Sequence, residues 1–206
     1  MTLRRGLTIP WMDRTGRVVQ IKIRLPARAG EQKYDAPRGS RPTVYGLDHL
    51  QQHEVLLLCE GEFDCLVAHQ EAGDLFDVAT LGGAAAGAAS GATDALLGRY
   101  LSILVALDAD QAGQRGAARL EAASGRCVRI ALPPGMHDVT DVTDLHLAAR
   151  PGAVRGWLAD GYLGVSPPRV DVCCVPGCDG EIDIYTPEGY PACAGHATHR
   201  VFQEEE

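Results

Sequence analysis

The chain has 206 residues, 46% of them apolar and 5% aromatic, and carries a net charge of −8. That is enough apolar material for one packed domain plus a small appendage. No run approaches the roughly 18 apolar residues of a membrane span, and the N-terminus lacks a secretory apolar segment, so a cytoplasmic protein with no membrane partner is expected.

In chain order, the first 50 residues read as a β-rich basic segment. "GLTIPWMD" and "GRVVQIKIRL" are strand-like runs joined by the turn signal "DRTG", and "PARAGEQKYDAPRGSRPTVYG" follows as a loop. Residues 1–42 hold ten Lys/Arg against Asp13, Glu31 and Asp35, a local charge of +7 that leaves −15 on the remainder. Such a basic arm beside an acidic body suits either polyanion contact at one place or a solvated basic hairpin.

Residues 51–164 change in texture. "EVLLLC" is a short buried strand, "EFDCLVAHQEAG" a helix with Phe63, Leu66 and Val67 on one face, and "FDVAT" a strand. Within the Ala/Gly-rich stretch that follows, a helix is expected from about Thr93 to Arg99. Then come the strand "LSILVAL", the helix "AGQRGAARLEAAS", the strand "RCVRIAL", a polar loop, and two short helices at "LHLAA" and "GAVRGWLADG". Strands alternating with helices predict an α/β fold with a mainly parallel sheet and flanking helices. Cys59, Cys65 and Cys127 stand singly in apolar segments and read as small core residues. "VSPPR" is a linker, and 165–206 form a separate small module.

Acids follow the strands. Glu60 directly follows "EVLLLC", with Glu62 and Asp64 just after; Asp108 and Asp110 follow "ILVAL"; Asp138, Asp141 and Asp144 lie in the loop after "RCVRIAL". Ligands of open α/β sheets bind beyond the carboxyl ends of the strands. So many carboxylates need a counter-cation to stay ionised, and an all-oxygen donor set suits Mg²⁺ or Mn²⁺. Singly, each acid is as well explained as a turn former or helix cap, and Asp110 or Asp144 could cap the helix that follows it.

The set "EGEFD", then "DADQAG" about 45 residues later, then "HDVTDVTDLHL", resembles the Toprim domain in the form found in bacterial and phage primases. "LTIPWMDRTGRVVQIKIR…KYDAPRG…VYG" is similar to the segment that precedes Toprim in those proteins, so the resemblance covers about residues 7–150. It implies a Rossmann-like Toprim fold and metal-dependent nucleotidyl transfer, with RNA primers made on single-stranded DNA from NTPs within a larger replication protein or assembly that includes a replicative helicase. It implies Glu60, Asp108 and Asp110 as catalytic, the same three with Asp138 and Asp141 as ligands of Mg²⁺ or Mn²⁺, and Arg24, Lys33, Arg38 and Arg41 on nucleic acid or nucleotide. A Toprim nuclease and a non-catalytic DNA-binding replication module are the alternatives.

In the tail, Cys174-x3-Cys178 and Cys193-x2-His196 are paired across two strand-like runs. This predicts a zinc-ribbon-like module held by one structural Zn²⁺. Cys173 can replace Cys174 and His199 can replace His196 in that set.

Overall fold

The computed structural model describes residues 5–26, 32–39, 43–83, 97–133, 139–149 and 152–164, together with two short strands at 184–185 and 191–192. The fold is mixed α/β. A three-stranded antiparallel sheet, order β1-β2-β3, is built from Leu7–Met12, Val18–Arg24 and Tyr34–Asp35. The β1–β2 turn is tied by Asp13, whose carboxylate accepts the amides of Thr15 (2.9 Å) and Arg17 (3.1 Å). The pair Tyr34–Asp35 was expected to be loop, and it is a strand because it hydrogen-bonds to the end of β2 at Ile23 and Arg24. A two-residue strand has no period of its own to read.

The second sheet is parallel throughout: β4 (Val55–Cys59), β5 (Asp77–Thr80), β6 (Ser102–Ala106) and β7 (Cys127–Arg129), in the order β5-β4-β6-β7. Alternate residues of each strand serve opposite faces. Leu57, Cys59, Leu104 and Ala106 enter one apolar cluster, and Leu56, Leu58, Ile103 and Val105 enter the other. Both faces are covered, which is why these strands are continuously apolar. Helices α1 (Glu62–Ala72), α3 (Val142–Ala148) and α4 (Ala153–Gly164) pack on the first face and α2 (Gln111–Ala123) on the second. Of the helix expected over Thr93–Arg99, only Leu97 is a described helical residue, and the part before it lies outside the described residues.

Helix α1 corrects one expectation. Its buried face is Cys65, Ala68 and Ala72, Phe63 and Val67 are half-buried, and Leu66 is 42% exposed. The small residues recur at helical spacing on one face and bring the helix close to the sheet. Cys59, Cys65 and Cys127 are buried and unpaired.

The antiparallel sheet shares the first core. Trp11 is 2% exposed, meets Tyr45 edge-to-face at 5.6 Å, and closes over the loop after β5. Gly82 in that loop has φ +82°, and a Cβ there would lie 2.6 Å from the Trp11 ring, so glycine is required both by conformation and by space. Among the described residues, no helix is long and apolar enough to cross a membrane.

Candidate active site

The sheet order places a topological switch point between β4 and β6. From β4 the chain moves outward to β5, and from β6 it moves the other way to β7. A crevice opens at such a point, outside the carboxyl ends of the two strands. Cys59 and Ala106 are in register there, so the residues that follow them are neighbours. Glu60 Oε2 accepts the amide of Asp108 at 3.2 Å, and Thr80 Oγ1 donates to the Glu60 carbonyl at 2.7 Å. The loop leading to α3 joins them, with the Ala109 amide donating to the Thr140 carbonyl at 3.0 Å.

Three carboxylates converge: one oxygen each of Asp64, Asp108 and Asp141 lie within 4.8 Å of one another. Asp64 is held from both sides. Its Oδ2 accepts the Gly61 amide at 3.2 Å, and its Oδ1 accepts the amide (3.0 Å) and hydroxyl (2.6 Å) of Thr143. Burial pushes the Asp108 carboxyl up to about 7, reinforced by Glu60 and then Asp64. Burial also raises Asp64 and Asp141, against the lowering effect of the hydrogen bonds each accepts. Carboxylates crowded in this way could hold a cation, and this all-oxygen set fits a hard divalent ion that keeps some of its waters.

The residues singled out in the sequence fall into distinct places. Asp108 and Asp141 are in the cluster, and Glu60 lines the same cavity. Asp110 is the N-cap of α2, its Oδ1 accepting the Gly113 amide at 2.8 Å. Asp141 also caps α3, accepting the Asp144 amide at 2.6 Å, whereas Asp144 binds the amide and hydroxyl of Thr140. Asp138, Arg41 and the four tail residues Cys174, Cys178, Cys193 and His196 lie outside the described residues.

Asp64 was read as part of the first motif but not as a ligand; its position four residues after Glu60 was the available signal. Lys22, Tyr34, Phe63 and Thr143 had no such signal. They join the site only through packing.

The basic sheet contributes to the same cavity. Lys22, Arg24 and Lys33 line one cavity of about 570 Å³ with Glu60, Asp64 and Asp108. Arg38 is exposed and lies outside that lining. Lys22 is already engaged, with Nζ 2.6 Å from Glu62 Oε1 and 3.2 Å from the Gly82 carbonyl.

The Toprim-like family model matches residues 57–143, the span from β4 to the first turn of α3. The fold of that span is Toprim-like. Solved primase structures share its fold. One is the RNA polymerase domain of Mycobacterium tuberculosis primase DnaG, at 24% identity, 76% of this chain, 55% of that chain and TM-score 0.59. Another is the Aquifex aeolicus primase, at 21% identity, 76% of this chain, 40% of that chain and TM-score 0.57. A third is the primase fragment of the bacteriophage T7 primase-helicase, at 22% identity, 73% of this chain, 61% of that chain and TM-score 0.55. The chain thus spans 40–61% of the length of these three structures. No curated protein matches it.

Within this Toprim-like span, Gly113 keeps α2 against the Asp108 loop. A Cβ there would sit 2.1 Å from the Asp108 carbonyl oxygen and 2.9 Å from its amide nitrogen. Backbone atoms cannot swing aside as a flexible side chain can, so Gly113→Ala displaces Asp108. The expected result is at least a tenfold loss of Mn²⁺ affinity by calorimetry, with a stability loss of about 1–3 kcal/mol from overpacking.

Proposed function

We propose that this chain is the catalytic core of a primase-type nucleotidyltransferase that makes RNA primers on single-stranded DNA from NTPs. The observation that carries the reading is one cavity lined both by three converging carboxylates and by the cations Lys22, Arg24 and Lys33. The comparisons lend support: a T7 primase assembly holds an RNA/DNA hybrid and dTTP, and the M. tuberculosis domain has been captured with double-stranded DNA. The T7 primase is joined to a helicase, which supports a replicative helicase as partner here as well.

In this reading Asp64, Asp108 and Asp141 hold Mg²⁺ or Mn²⁺, and Asp138 is a further ligand on the strength of the sequence motif alone. When bound, the ion neutralises phosphate oxygens and the charge that develops on the transferred phosphoryl group. Glu60 has Oε2 occupied by the Asp108 amide, and its other oxygen takes the proton of the attacking hydroxyl. Asp110 orders the Asp108 loop through its cap on α2. Lys33 binds triphosphate, Arg24 faces the nucleotide away from its phosphates, and Arg38 and Arg41 bind template. Lys22, paired with Glu62, positions the basic sheet. The division into a basic segment (1–50), a Toprim domain (51–164) and a tail (165–206) remains part of the proposal, as does one structural Zn²⁺ on Cys174, Cys178, Cys193 and His196.

The test is incorporation of labelled NTPs on single-stranded DNA by the full chain with Mn²⁺. Metal-dependent primers, lost in Asp64→Asn with DNA binding retained, are expected. Metal-dependent DNA cutting without incorporation would replace nucleotidyl transfer with hydrolysis by the same site. DNA binding with neither reaction would make the chain a binding module.

A further inference from the structure

Three planar groups meet on the wall of the site cavity in an arrangement that metal binding does not use. The Arg24 guanidinium carbon lies 5.2 Å from the Tyr34 ring centroid and 5.2 Å from that of Phe63. Arg24 Nη1 donates to the Tyr34 hydroxyl at 2.6 Å, which restrains the guanidinium beside the rings. The three come from β2, β3 and the first turn of α1, and all line the cavity that holds Asp64, Asp108 and Asp141. Phe63 directly precedes Asp64, so ring and carboxylate belong to the same helical turn.

An aromatic face carries partial negative charge and offers nothing to a phosphate. Phe63 is only partly buried in a cavity otherwise lined mainly by charged and polar side chains. What suits a half-exposed ring beside a restrained guanidinium is a flat, apolar-faced partner. In a site that takes nucleotides, that partner is the base.

We propose that Phe63, Arg24 and Tyr34 form a stacking platform for the base of the nucleotide whose phosphates sit at the carboxylate cluster. This rests on the nucleotidyl-transfer reading above. Every base has a π-face, so the platform accepts all four and supplies affinity rather than base choice.

The experiment compares ATP with inorganic tripolyphosphate, each titrated calorimetrically into the full chain with Mg²⁺. Stacking predicts that ATP binds about tenfold more tightly or better, within the range known for base–aromatic contacts. Phe63→Leu, which keeps apolar volume, and Arg24→Lys, which keeps charge, should each remove most of that advantage while changing tripolyphosphate affinity by less than about twofold. Phe63→Tyr should retain it. Arg24 is exposed, so its variant tests the platform even where the Phe63 variant disturbs packing. Equal binding of ATP and tripolyphosphate by the unaltered chain overturns the platform and leaves the phosphate site standing, as does an equal loss of both in Phe63→Leu. If neither ligand binds with Mg²⁺, the nucleotide reading falls and takes the platform with it.

Discussion

Replacing Asp108 with Asn should abolish Mn²⁺ binding and, in metal-free protein at pH 8, raise the unfolding temperature. Both effects come from one carboxylate. Its folded value is raised from 3.8 to about 7, first by burial and then by Glu60, Asp64, Asp141 and Asp110. Between those two values the folded chain keeps a proton that the unfolded chain releases. The metal-free fold therefore loses stability as pH rises from about 4 to about 7 and does not regain it above. The side chain is half-exposed, so after allowance for solvent screening the cost at pH 8 is about 1–2 kcal/mol. Asn removes it, which for a chain of this size is a gain of a few degrees. Asp64 and Asp141 are shifted in the same direction, so Mn²⁺ affinity should climb as pH rises and protons stop competing for the cluster. Catalysis should fall by on the order of 10³, matching loss of several kcal/mol of metal-borne charge stabilisation. Thermal scans at pH 5 and pH 8, with and without Mn²⁺, check the sign. A variant that keeps Mn²⁺ affinity or loses stability at pH 8 would contradict this account of the cluster.

Lys22→Met should be among the most destabilising single changes in the chain. Lys22 Nζ lies 2.6 Å from Glu62 Oε1; Glu62 is 1% exposed and Lys22 16%. The pair pins β2 of the basic sheet to the first turn of α1, and the 3.2 Å bond to the Gly82 carbonyl adds the loop after β5. Removing the ammonium strands a carboxylate that cannot reach water, which costs about 3–5 kcal/mol in comparable buried pairs. Glu62→Gln should cost less, because Lys22 keeps the Gly82 carbonyl and some solvent. The double variant Lys22→Met with Glu62→Gln should recover much of the loss, since no uncompensated charge remains. Denaturant unfolding of all four proteins gives the coupling directly. Similar small losses for both single variants would show that the pair is not what holds the two sheets together.

Much of the architecture was legible in the chain. "EVLLLC" and "LSILVAL" are too short and too uniformly apolar for anything but strands buried on both faces, and they became β4 and β6 with Leu57 and Leu58 fully buried on opposite sides. Acids directly after two such strands were bound to lie at one edge of a parallel sheet. The basic hairpin was equally plain, with its turn set by Asp13.

Tertiary structure decided which side chains meet. The spacing of Asp108 and Asp110 suits two ligands, and Asp110 suits a helix cap as well. The orientation of α2, held close by Gly113, turns Asp110 back onto its own helix. Asp64 joins Asp108 and Asp141 because Thr143, 79 residues away, ties α3 to the start of α1. The Lys22–Glu62 pair and the Arg24–Tyr34–Phe63 stack likewise join β2 and β3 to α1 across the shared core. A sequence period reports which face of an element is apolar and where a strand stops, because those depend on local geometry. Contacts of a few ångströms between elements depend on how the whole core closes, and no local pattern carries that information.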